Sequence, residues 1–257
     1  MSAKTDHRHH ALIAAVLAGT HDAEALSRHL GVSLVTIRRD LSQLSAQGRL
    51  LRTFGGAVLA GGHEPESTLA QRRNKNKSRK EAIARVAAGE IHSGETIILD
   101  GGTTTGALAR QLRGRRNLRV ITNSLQVMAV LAGDEGIELI LLGGTMRAKS
   151  LSTVGPLAEM TMRRLSADRV FLGADGVVAG RGLCEAGSDQ IQLKELMIAQ
   201  ATTTYVLADS SKLGRAAQQA WAPLEQAWTL ITDGDADPQQ VERFRSLPGV
   251  TVSVAKK

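Results

Sequence analysis

The sequence predicts an α/β fold, with a small N-terminal α+β unit and a C-terminal domain whose mainly parallel sheet is flanked by helices. Two observations lead to this prediction. From Ser78 onward, short apolar runs alternate with stretches of helical period, and strands that are apolar throughout are typical of a parallel sheet covered on both faces. Composition also divides the 257 residues into an N-terminal part (1–60), an exposed linker (61–77) and a larger domain (78–257).

Composition and charge are those of a globular protein that favours anionic partners. Hydrophobic residues make up 42% of the chain, and the formal net charge of +7 attracts polyanions without identifying which. No apolar run is long enough to cross a bilayer, and residues 1–10 lack the apolar centre of a signal peptide. Cys184 is the only cysteine, which excludes an internal disulfide and any zinc finger that needs two thiolates. These features predict a cytoplasmic protein with no membrane partner.

Residues 22–47 predict two helices joined by a tight turn. Asp22 can cap the first helix, Gly31 can take the left-handed conformation that ends it, and Ser33 can cap the second, which runs from Leu34 to about Gln47. The second helix has an apolar stripe at helical spacing, formed by Ile37, Leu41 and Leu44.

The opposite face of the second helix is polar and basic, and it presents Thr36, Arg38, Arg39 and Gln43. A helix with a buried stripe and paired outer arginines has the form of a recognition helix lying in the major groove. The following segment, 49–58, predicts two short strands around a glycine turn, a basic wing beside the DNA backbone. A basic helix face alone is more often merely solvated, but the turn, the cap and the wing in register favour DNA binding.

The linker and the larger domain follow. The linker lacks apolar periodicity, contains Pro65 and carries a positive run between residues 71 and 77. Seven apolar runs predict strands at Thr96–Leu99, Leu118–Ile121, Glu138–Leu142, Arg169–Leu172, Thr204–Leu207, Trp228–Ile231 and Thr251–Val254. Helical periodicity predicts intervening helices that include Glu81–Ile91, Ala107–Leu112, Leu125–Leu131 and Gln190–Ala201.

The segment 100–105, which joins the first of these strands to a helix, suits an anion such as phosphate. Its small residues let backbone N–H groups approach, and the helix N-terminus and threonine hydroxyls add donors. The glycine spacing matches neither a dinucleotide fingerprint nor a P-loop, so no nucleotide cofactor is predicted. Other strand ends carry polar residues that should meet at the same sheet edge, among them Asp175 and Lys212. Arg147 can also neutralise phosphate, with a surface salt bridge as an equal alternative.

The N-terminal motif resembles the DNA-binding signature of the DeoR family of transcription regulators. The resemblance rests on residues 33–41, on Leu44, Gly48, Leu50 and Arg52, and on the Gly55-Gly56-Ala57 wing, where Phe54 replaces the usual histidine. Together with the helix geometry it predicts DNA contacts at Ser33, Leu34, Val35, Thr36, Arg38, Arg39 and Arg52. Leu34 and Val35 fall on variable positions and are expected to set sequence preference. Asp40 is expected to be structural, either pairing with an arginine or lining the interior.

The C-terminal half is similar to the effector domain of the same family, through residues 99–105, 121–124 and 209–214 among others. This domain resembles the ribose-5-phosphate isomerase, glucosamine-6-phosphate deaminase and CoA-transferase group of folds, which implies a sugar-phosphate effector. The predicted effector-binding residues are Asp100, Thr103, Thr104, Thr105, Asn123, Arg147, Asp175, Lys194 and Lys212.

Two other functional classes are weighed against this one. An isomerase-like enzyme could use acid–base groups at Asp175, Glu185, Lys194 and Lys212. The isomerase-like pattern has an Asp-Glu pair where this chain has Asp175-Gly176, so sensing is favoured over catalysis. A metal-responsive regulator could use His7, His9 and His10, but a solvated N-terminal helix is the favoured interpretation because no cysteine or carboxylate cluster lies nearby in sequence.

The sequence therefore predicts a non-enzymatic transcriptional regulator of carbohydrate-metabolism genes. Repression relieved by a phosphorylated sugar is the behaviour that the resemblance implies. We expect a homo-oligomer, formed through the C-terminal domain, that places paired recognition helices on double-stranded operator DNA with half-sites about one helical turn apart or a multiple of it.

Overall fold

The structure is a computed structural model that describes residues 3–17, 20, 22–47, 49–53, 55–59, 66–216 and 218–256. Its N-terminal part contains three helices and a two-stranded antiparallel hairpin. In chain order these elements are α1 (Ala3–Leu17), α2 (Ala23–Leu30), α3 (Leu34–Ala46), β1 (Leu50–Thr53) and β2 (Gly56–Leu59).

The predicted caps of α2 and α3 are confirmed. The Asp22 carboxylate accepts hydrogen bonds from the backbone N–H groups of Glu24 and Ala25, which satisfies donors that the helix itself leaves unpaired. Gly31 ends α2 at φ +63°, in the left-handed region, and the Ser33 hydroxyl then accepts from the backbone N–H of Thr36. The short turn between the two helices is thus fixed by local chemistry.

The N-terminal unit has its own core, with one buried ion pair beside it. Its fully buried side chains come from all three helices and from the hairpin, and they include Leu12, Leu26, Ile37, Leu41, Leu44 and Leu50. Asp40 of α3 is fully buried, and two nitrogens of Arg8 donate to its two oxygens at 2.5 and 3.0 Å. The structural role predicted for Asp40 is therefore confirmed. His9 is only 2% exposed and its Nε2 lies 3.4 Å from Asp40, which corrects the expectation that α1 is a simply solvated helix.

The Arg8–Asp40 pair is expected to stabilise the DNA-binding unit. Asp40→Ala should lower its free energy of unfolding by about 2 kcal/mol or more, because the Arg8 charge loses its partner next to the core. Burial alone would raise the pKa of Asp40, but the hydrogen bonds and charges of Arg8 and His9 together outweigh it and hold that pKa below its usual value. The contribution should therefore be present at neutral pH and lost as the pH falls through the folded-state pKa. Urea unfolding at pH 7 and pH 3 measures both effects, and Asp6→Ala on the exposed face of α1 serves as the control.

The C-terminal part is built on a seven-stranded sheet. In chain order its elements are α4 (Leu69–Asn74), α5 (Lys77–Gly89), β3 (Thr96–Leu99), α6 (Thr103–Leu112), β4 (Leu118–Thr122), α7 (Leu125–Leu131), β5 (Ile137–Leu141), β6 (Thr145–Arg147), β7 (Ser152–Val154), α8 (Pro156–Met162), β8 (Ala167–Leu172), β9 (Gly176–Val178), β10 (Gly182–Glu185), α9 (Ser188–Ala199), β11 (Ala201–Leu207), β12 (Ala220–Ala222), β13 (Trp228–Asp233), α10 (Pro238–Arg245) and β14 (Val250–Ala255). The sheet order is β14-β13-β11-β8-β3-β4-β5, and every neighbouring pair is parallel. The predicted parallel sheet is confirmed.

Helices cover both faces of this sheet and bury two apolar clusters. Helices α5, α6 and α7 pack on one face through side chains that include Ile83, Leu108 and Val127. Helices α8, α9 and α10 pack on the other through Met162, Met197 and Phe244. All seven predicted strands belong to the sheet, with their ends shifted by at most three residues. Among the described residues, no helix combines the length and apolar character needed to cross a membrane.

The prediction of an exposed linker at 61–77 is only partly right for the residues that the structure describes, since most of them are exposed but they form regular helices. Residues 61–65 lie outside the described residues, but α4 and the start of α5 occupy most of the remainder. A capping box at Thr68 and Gln71 starts α4, Leu69 is buried, and its backbone N–H donates to the carbonyl of Lys149 at 2.7 Å. The segment therefore folds back onto the C-terminal part through Leu69, Arg72 and Asn76, while Arg73, Lys75 and Lys77 remain exposed.

Candidate effector site and DNA-binding surface

The seven predicted DNA-binding residues lie on α3 and the wing. Val35 is 77% exposed, and Arg38 and Arg39 are also exposed, as major-groove contacts require. The hydroxyls of Ser33 and Thr36 are 2.8 Å apart and are engaged at the start of the helix. Leu34 is half-buried and packs on the core of the N-terminal unit.

Arg52, the wing residue among the seven, is held against the recognition helix. Its Nη1 donates to the backbone carbonyl of Arg38 at 3.1 Å and to the hydroxyl of Ser42 at 3.3 Å. These bonds fix the wing strand β1 relative to α3. One rigid unit can therefore contact the major groove of DNA through α3 and the DNA backbone through the wing. The histidine position of the wing signature, Phe54, lies outside the described residues.

A cavity of about 110 Å³ opens at the carboxyl ends of β3, β8 and β11. The chain order of the sheet reverses between β3 and β8, and ligands of open α/β sheets bind at such a switch point. Gly101 belongs to the tight turn after β3, where an added Cβ would come within 2.8 Å of the Ser152 Cβ. Thr103 and Thr104, which follow at the N-terminus of α6, line the cavity. The predicted anion-binding turn is therefore part of the cavity wall.

The opposite wall of the cavity is formed by α4, by the start of α5 and by the turn between them. Lys80 donates to the carbonyls of Arg72 and Lys75 at 2.5 and 2.7 Å, which fixes the turn between α4 and α5. Asn76 sits in this turn at φ +56°, and its amide donates to the Asp209 carboxylate at 2.9 Å. Arg72 reaches Asp175 with one nitrogen at 3.4 Å. Helix α4 is thus held over the strand ends by polar contacts on both sides of the cavity.

For three of the side chains that line the cavity, Lys80, Lys212 and Glu185, burial shifts the pKa. Burial lowers the pKa of Lys80 to about 8, although Asp209 opposes the shift. Burial also lowers the pKa of Lys212, whose Nζ lies 3.9 Å from Asp175. Burial raises the pKa of Glu185 to about 7. Five basic and four acidic side chains line the cavity, so its charge near pH 7 depends on these groups.

Beneath the cavity, Lys194 of α9 joins two carboxylates. Its ammonium is 2% exposed, and it donates to Asp100, to Glu185 at 3.0 Å and to the carbonyl of Gly173 at 2.8 Å. Burial alone would lower the pKa of Lys194, but the two carboxylates outweigh it and raise the pKa above its usual value. Lys194 is therefore a charged and fully engaged group below the cavity floor.

The nine predicted effector-binding residues divide into two groups. Those that line the cavity are Thr103, Thr104, Asp175 and Lys212. The others do not line it, namely Asp100, Thr105, Asn123, Arg147 and Lys194. Thr105 is fully buried and donates to the carbonyl of Gly102, and Asn123 is buried and donates to the carbonyl of Thr153. Arg147 forms a bidentate ion pair with Glu66 at 2.6 and 2.8 Å, and this pair is mostly buried, unlike the surface salt bridge considered as the alternative.

Comparison with known families agrees with both halves of the chain. The DeoR C terminal sensor domain matches residues 75–234, and the DeoR-like helix-turn-helix domain matches residues 8–61. The chain belongs to the DeoR family. As a member of this family it is a DNA-binding transcriptional regulator, with a helix-turn-helix joined to a sensor domain.

Curated relatives of this DeoR-family regulator are similar over most of their length. The HTH-type transcriptional regulator GlpR of Haloferax volcanii is 39% identical over 89% of each chain. The lactose phosphotransferase system repressor of Lactococcus lactis is 34% identical over 88% of this chain and 89% of its own. The glycerol-3-phosphate regulon repressor of Escherichia coli is 32% identical over 90% and 91%. Ribose 5-phosphate isomerase A of Methanocaldococcus jannaschii aligns with 54% of this chain and 55% of its own at 22% identity, but the TM-score of 0.41 is too low to support a conclusion.

In this DeoR-family regulator, sequence reasoning missed the part of the cavity wall that lies before the sheet. Glu66, Arg72 and Lys75 had been assigned to the linker, and all three line the cavity. The available signal was the basic run from Arg72 to Lys77 directly before the first helix of the domain. Positive charge next to a predicted anion site is a reason to test whether such a segment folds back over it.

Proposed function

We propose that this DeoR-family chain is a repressor of carbohydrate-metabolism genes whose binding to operator DNA is controlled by a phosphorylated sugar or a related phosphorylated metabolite in the cavity. The proposal rests on those nitrogens of the Arg72 guanidinium that are unpaired among the described residues. Its Nε and Nη2 are buried and have no hydrogen-bond partner within the described part of the chain. Buried guanidinium nitrogens without a partner are costly, so a bidentate anion at this position would relieve an unmet requirement.

The surroundings of Arg72 fit a phosphate monoester. Lys212 and the backbone at the N-terminus of α6 line the same cavity, and both favour negative charge. On the same wall, Asp175 has one carboxylate oxygen, Oδ2, that is buried without a partner among the described residues. A carboxylate oxygen accepts hydrogen bonds from hydroxyl groups. The combination favours a ligand that carries a phosphate at one end and hydroxyls at the other.

The names of two relatives support the same ligand class. One represses a glycerol-3-phosphate regulon and another represses a lactose phosphotransferase system. Both names concern phosphorylated or phosphate-linked carbohydrates. The cavity of about 110 Å³ is small, which is consistent with a compact metabolite and not with a nucleotide.

We propose that the domain senses its ligand without turning it over. Lys194 donates to Asp100, Glu185 and the carbonyl of Gly173, so its ammonium is not free to move protons on a ligand. An enzyme remains the second candidate because Glu185 and Asp175 both line the cavity. Incubation of the folded chain with ribose 5-phosphate or glucosamine 6-phosphate, followed by product analysis, distinguishes the two. Sustained product formation would favour the enzyme.

As part of the same proposal, the chain works as a homo-oligomer on DNA in the cytoplasm. Repeated or palindromic half-sites require paired recognition helices, and a C-terminal interface would supply the pairing. The sign of regulation follows the repressor names of the relatives.

A selection experiment tests the proposal as a whole. The wild-type chain is mixed with random DNA duplexes at fixed salt, and the enriched duplexes are sequenced and retested with a panel of triose, pentose, hexose and glycerol phosphates. One compound should change the affinity for the enriched duplex. If a duplex is enriched but no compound changes its affinity, a phosphorylated sugar is not the effector. If no sequence is enriched, the chain does not bind a specific operator.

The pH dependence of effector binding follows from two groups in the cavity. Glu185 gains a negative charge as the pH rises through about 7, and Lys80 loses a positive charge as it rises through about 8. A phosphate monoester is already close to a dianion above pH 7, so the ligand does not offset these changes. Effector affinity should therefore fall about tenfold or more between pH 7 and pH 9 in calorimetric titrations. Glu185→Gln should abolish the fall in effector affinity near pH 7 and keep the fall near pH 8. An effector affinity that does not change with pH would contradict the roles given to both Glu185 and Lys80.

A further inference from the structure

The winged helix contacts the C-terminal part through the helix α10. Arg243 donates to the Asp22 carboxylate at 2.5 Å, and Arg28 donates to the Gln239 side chain at 3.1 Å. Asp22 is also the residue that caps α2, so this ion pair is made directly to the helix-turn-helix. Glu24 lies 3.8 Å from Arg243 and adds to the attraction.

These contacts close one side of a cleft between the two parts. The cleft has a volume of about 770 Å³, and Leu34 and Arg38 of the recognition helix line it together with Gln240 and Arg243 of α10. This is the volume of a small-ligand pocket. A recognition helix must lie in a major groove about 12 Å wide, between two phosphate backbones. Arg38 lines this cleft opposite α10, so a duplex held against that side of α3 would compete with α10 for the same space.

The cleft also shares walls with the effector cavity. Lys75, Ser211 and Arg215 line both spaces. Gly214, in the same loop, lies so close to α10 that an added Cβ would meet the Gln240 side chain at 2.8 Å. The loop that holds Lys212 at the effector is thus in direct contact with the helix that holds the DNA-binding unit.

We propose that α10 is a docking surface for the DNA-binding unit of the same chain, and that the Asp22–Arg243 ion pair latches a closed arrangement that competes with operator binding. The latch rests on the proposed function, since it requires that α3 bind DNA. A ligand that favours the present position of the 209–215 loop would favour the closed arrangement and release the operator. Coupling of this kind needs only two arrangements that differ in their affinity for each partner.

The test measures operator affinity without any effector. Arg243→Ala should bind the enriched duplex about two- to fivefold more tightly than the wild type, the effect of losing one partly exposed ion pair. Loss of a positive charge by itself weakens DNA binding, so tighter binding cannot come from the charge change. Arg245→Ala removes the same charge from an exposed position of the same helix and should not tighten binding.

Asp22→Asn completes a double-mutant cycle, because asparagine caps a helix as well as aspartate does. The double variant with Arg243→Ala should bind no more tightly than Arg243→Ala alone. Equal or weaker operator affinity of Arg243→Ala, with sequence preference intact, overturns the latch and leaves the proposed function standing.

A second measurement does not depend on DNA. Cysteines introduced by Arg28→Cys and Gln239→Cys should be joined efficiently by a short bis-maleimide, since these side chains are in contact between α2 and α10, while Cys184 is buried. Adding Arg243→Ala should lower the crosslinked fraction severalfold. An unchanged crosslinked fraction overturns the latch, whatever the result with DNA. Failure to enrich any duplex is a separate outcome, and it contradicts the proposed function.

Discussion

Replacing Lys194 with methionine is expected to lower the free energy of unfolding of the C-terminal part by about 3–5 kcal/mol. The lysine is 2% exposed, and its ammonium is the shared partner of Asp100 and Glu185. Methionine fills a similar volume but leaves two carboxylates close together in the interior, where an unpaired charge is costly. Urea unfolding followed by the fluorescence of Trp221 and Trp228 measures the loss. Lys256→Met, at an exposed position beyond β14, is the matched control and should change stability by less than about 0.5 kcal/mol.

The same change distinguishes a supporting from a ligand-binding role for Lys194. If the charge cluster is the reason for the loss, Asp100→Asn and Glu185→Gln added to Lys194→Met should restore much of the stability, because no buried charge then lacks a partner. If Lys194→Met unfolds like the wild type, the carboxylates are not held in the way their geometry indicates. The sequence-based assignment of Lys194 to the effector would then regain support.

Most of the fold was predictable because its central strands are buried on both faces. A strand in that position is apolar throughout, so runs such as Ile97–Leu99 and Val170–Leu172 mark it regardless of what packs on it. The missed elements lack this signal. Strands β6, β7 and β9 have three residues each, and α10 is a short helix with only Val241 and Phe244 buried. Such segments are determined by the surface they pack on more than by their own pattern.

The candidate site was predictable only where position in the chain determines the direction of a side chain. Thr103, Thr104, Asp175 and Lys212 follow strand ends and line the cavity, as the topology requires. Asp100 and Asn123 also follow strands but turn into the interior, since one residue of register separates the two directions. Arg147 is paired with Glu66, which lies 81 residues away in the chain. Neither that pair nor the return of Arg72 over the cavity is visible in local sequence patterns.

Because the two parts bind different partners, two single substitutions should have opposite effects on operator and effector affinity. Arg38→Ala should lower specific operator affinity by about 10- to 100-fold, because one bidentate base contact contributes about 1–3 kcal/mol. Effector affinity should stay unchanged, since Arg38 does not line the effector cavity. Lys212→Ala should keep the operator affinity measured without effector and weaken effector binding by about 10- to 100-fold, the loss of one charged hydrogen bond. Electrophoretic shifts and calorimetry on the same preparations measure the two affinities.

The control for both changes is Arg85→Ala, which removes one positive charge from an exposed position of α5. It separates a specific contact from the general attraction of a basic protein for DNA, which depends on net charge and on salt. If Arg38→Ala weakened random DNA as much as the operator, Arg38 would contact phosphate and not a base edge. If Arg38→Ala and Lys212→Ala each lost both affinities, the two parts could not be independent binding units. The effector would then have to act on α3 directly, through the cleft that Arg38 shares with Arg215, a residue that also lines the effector cavity.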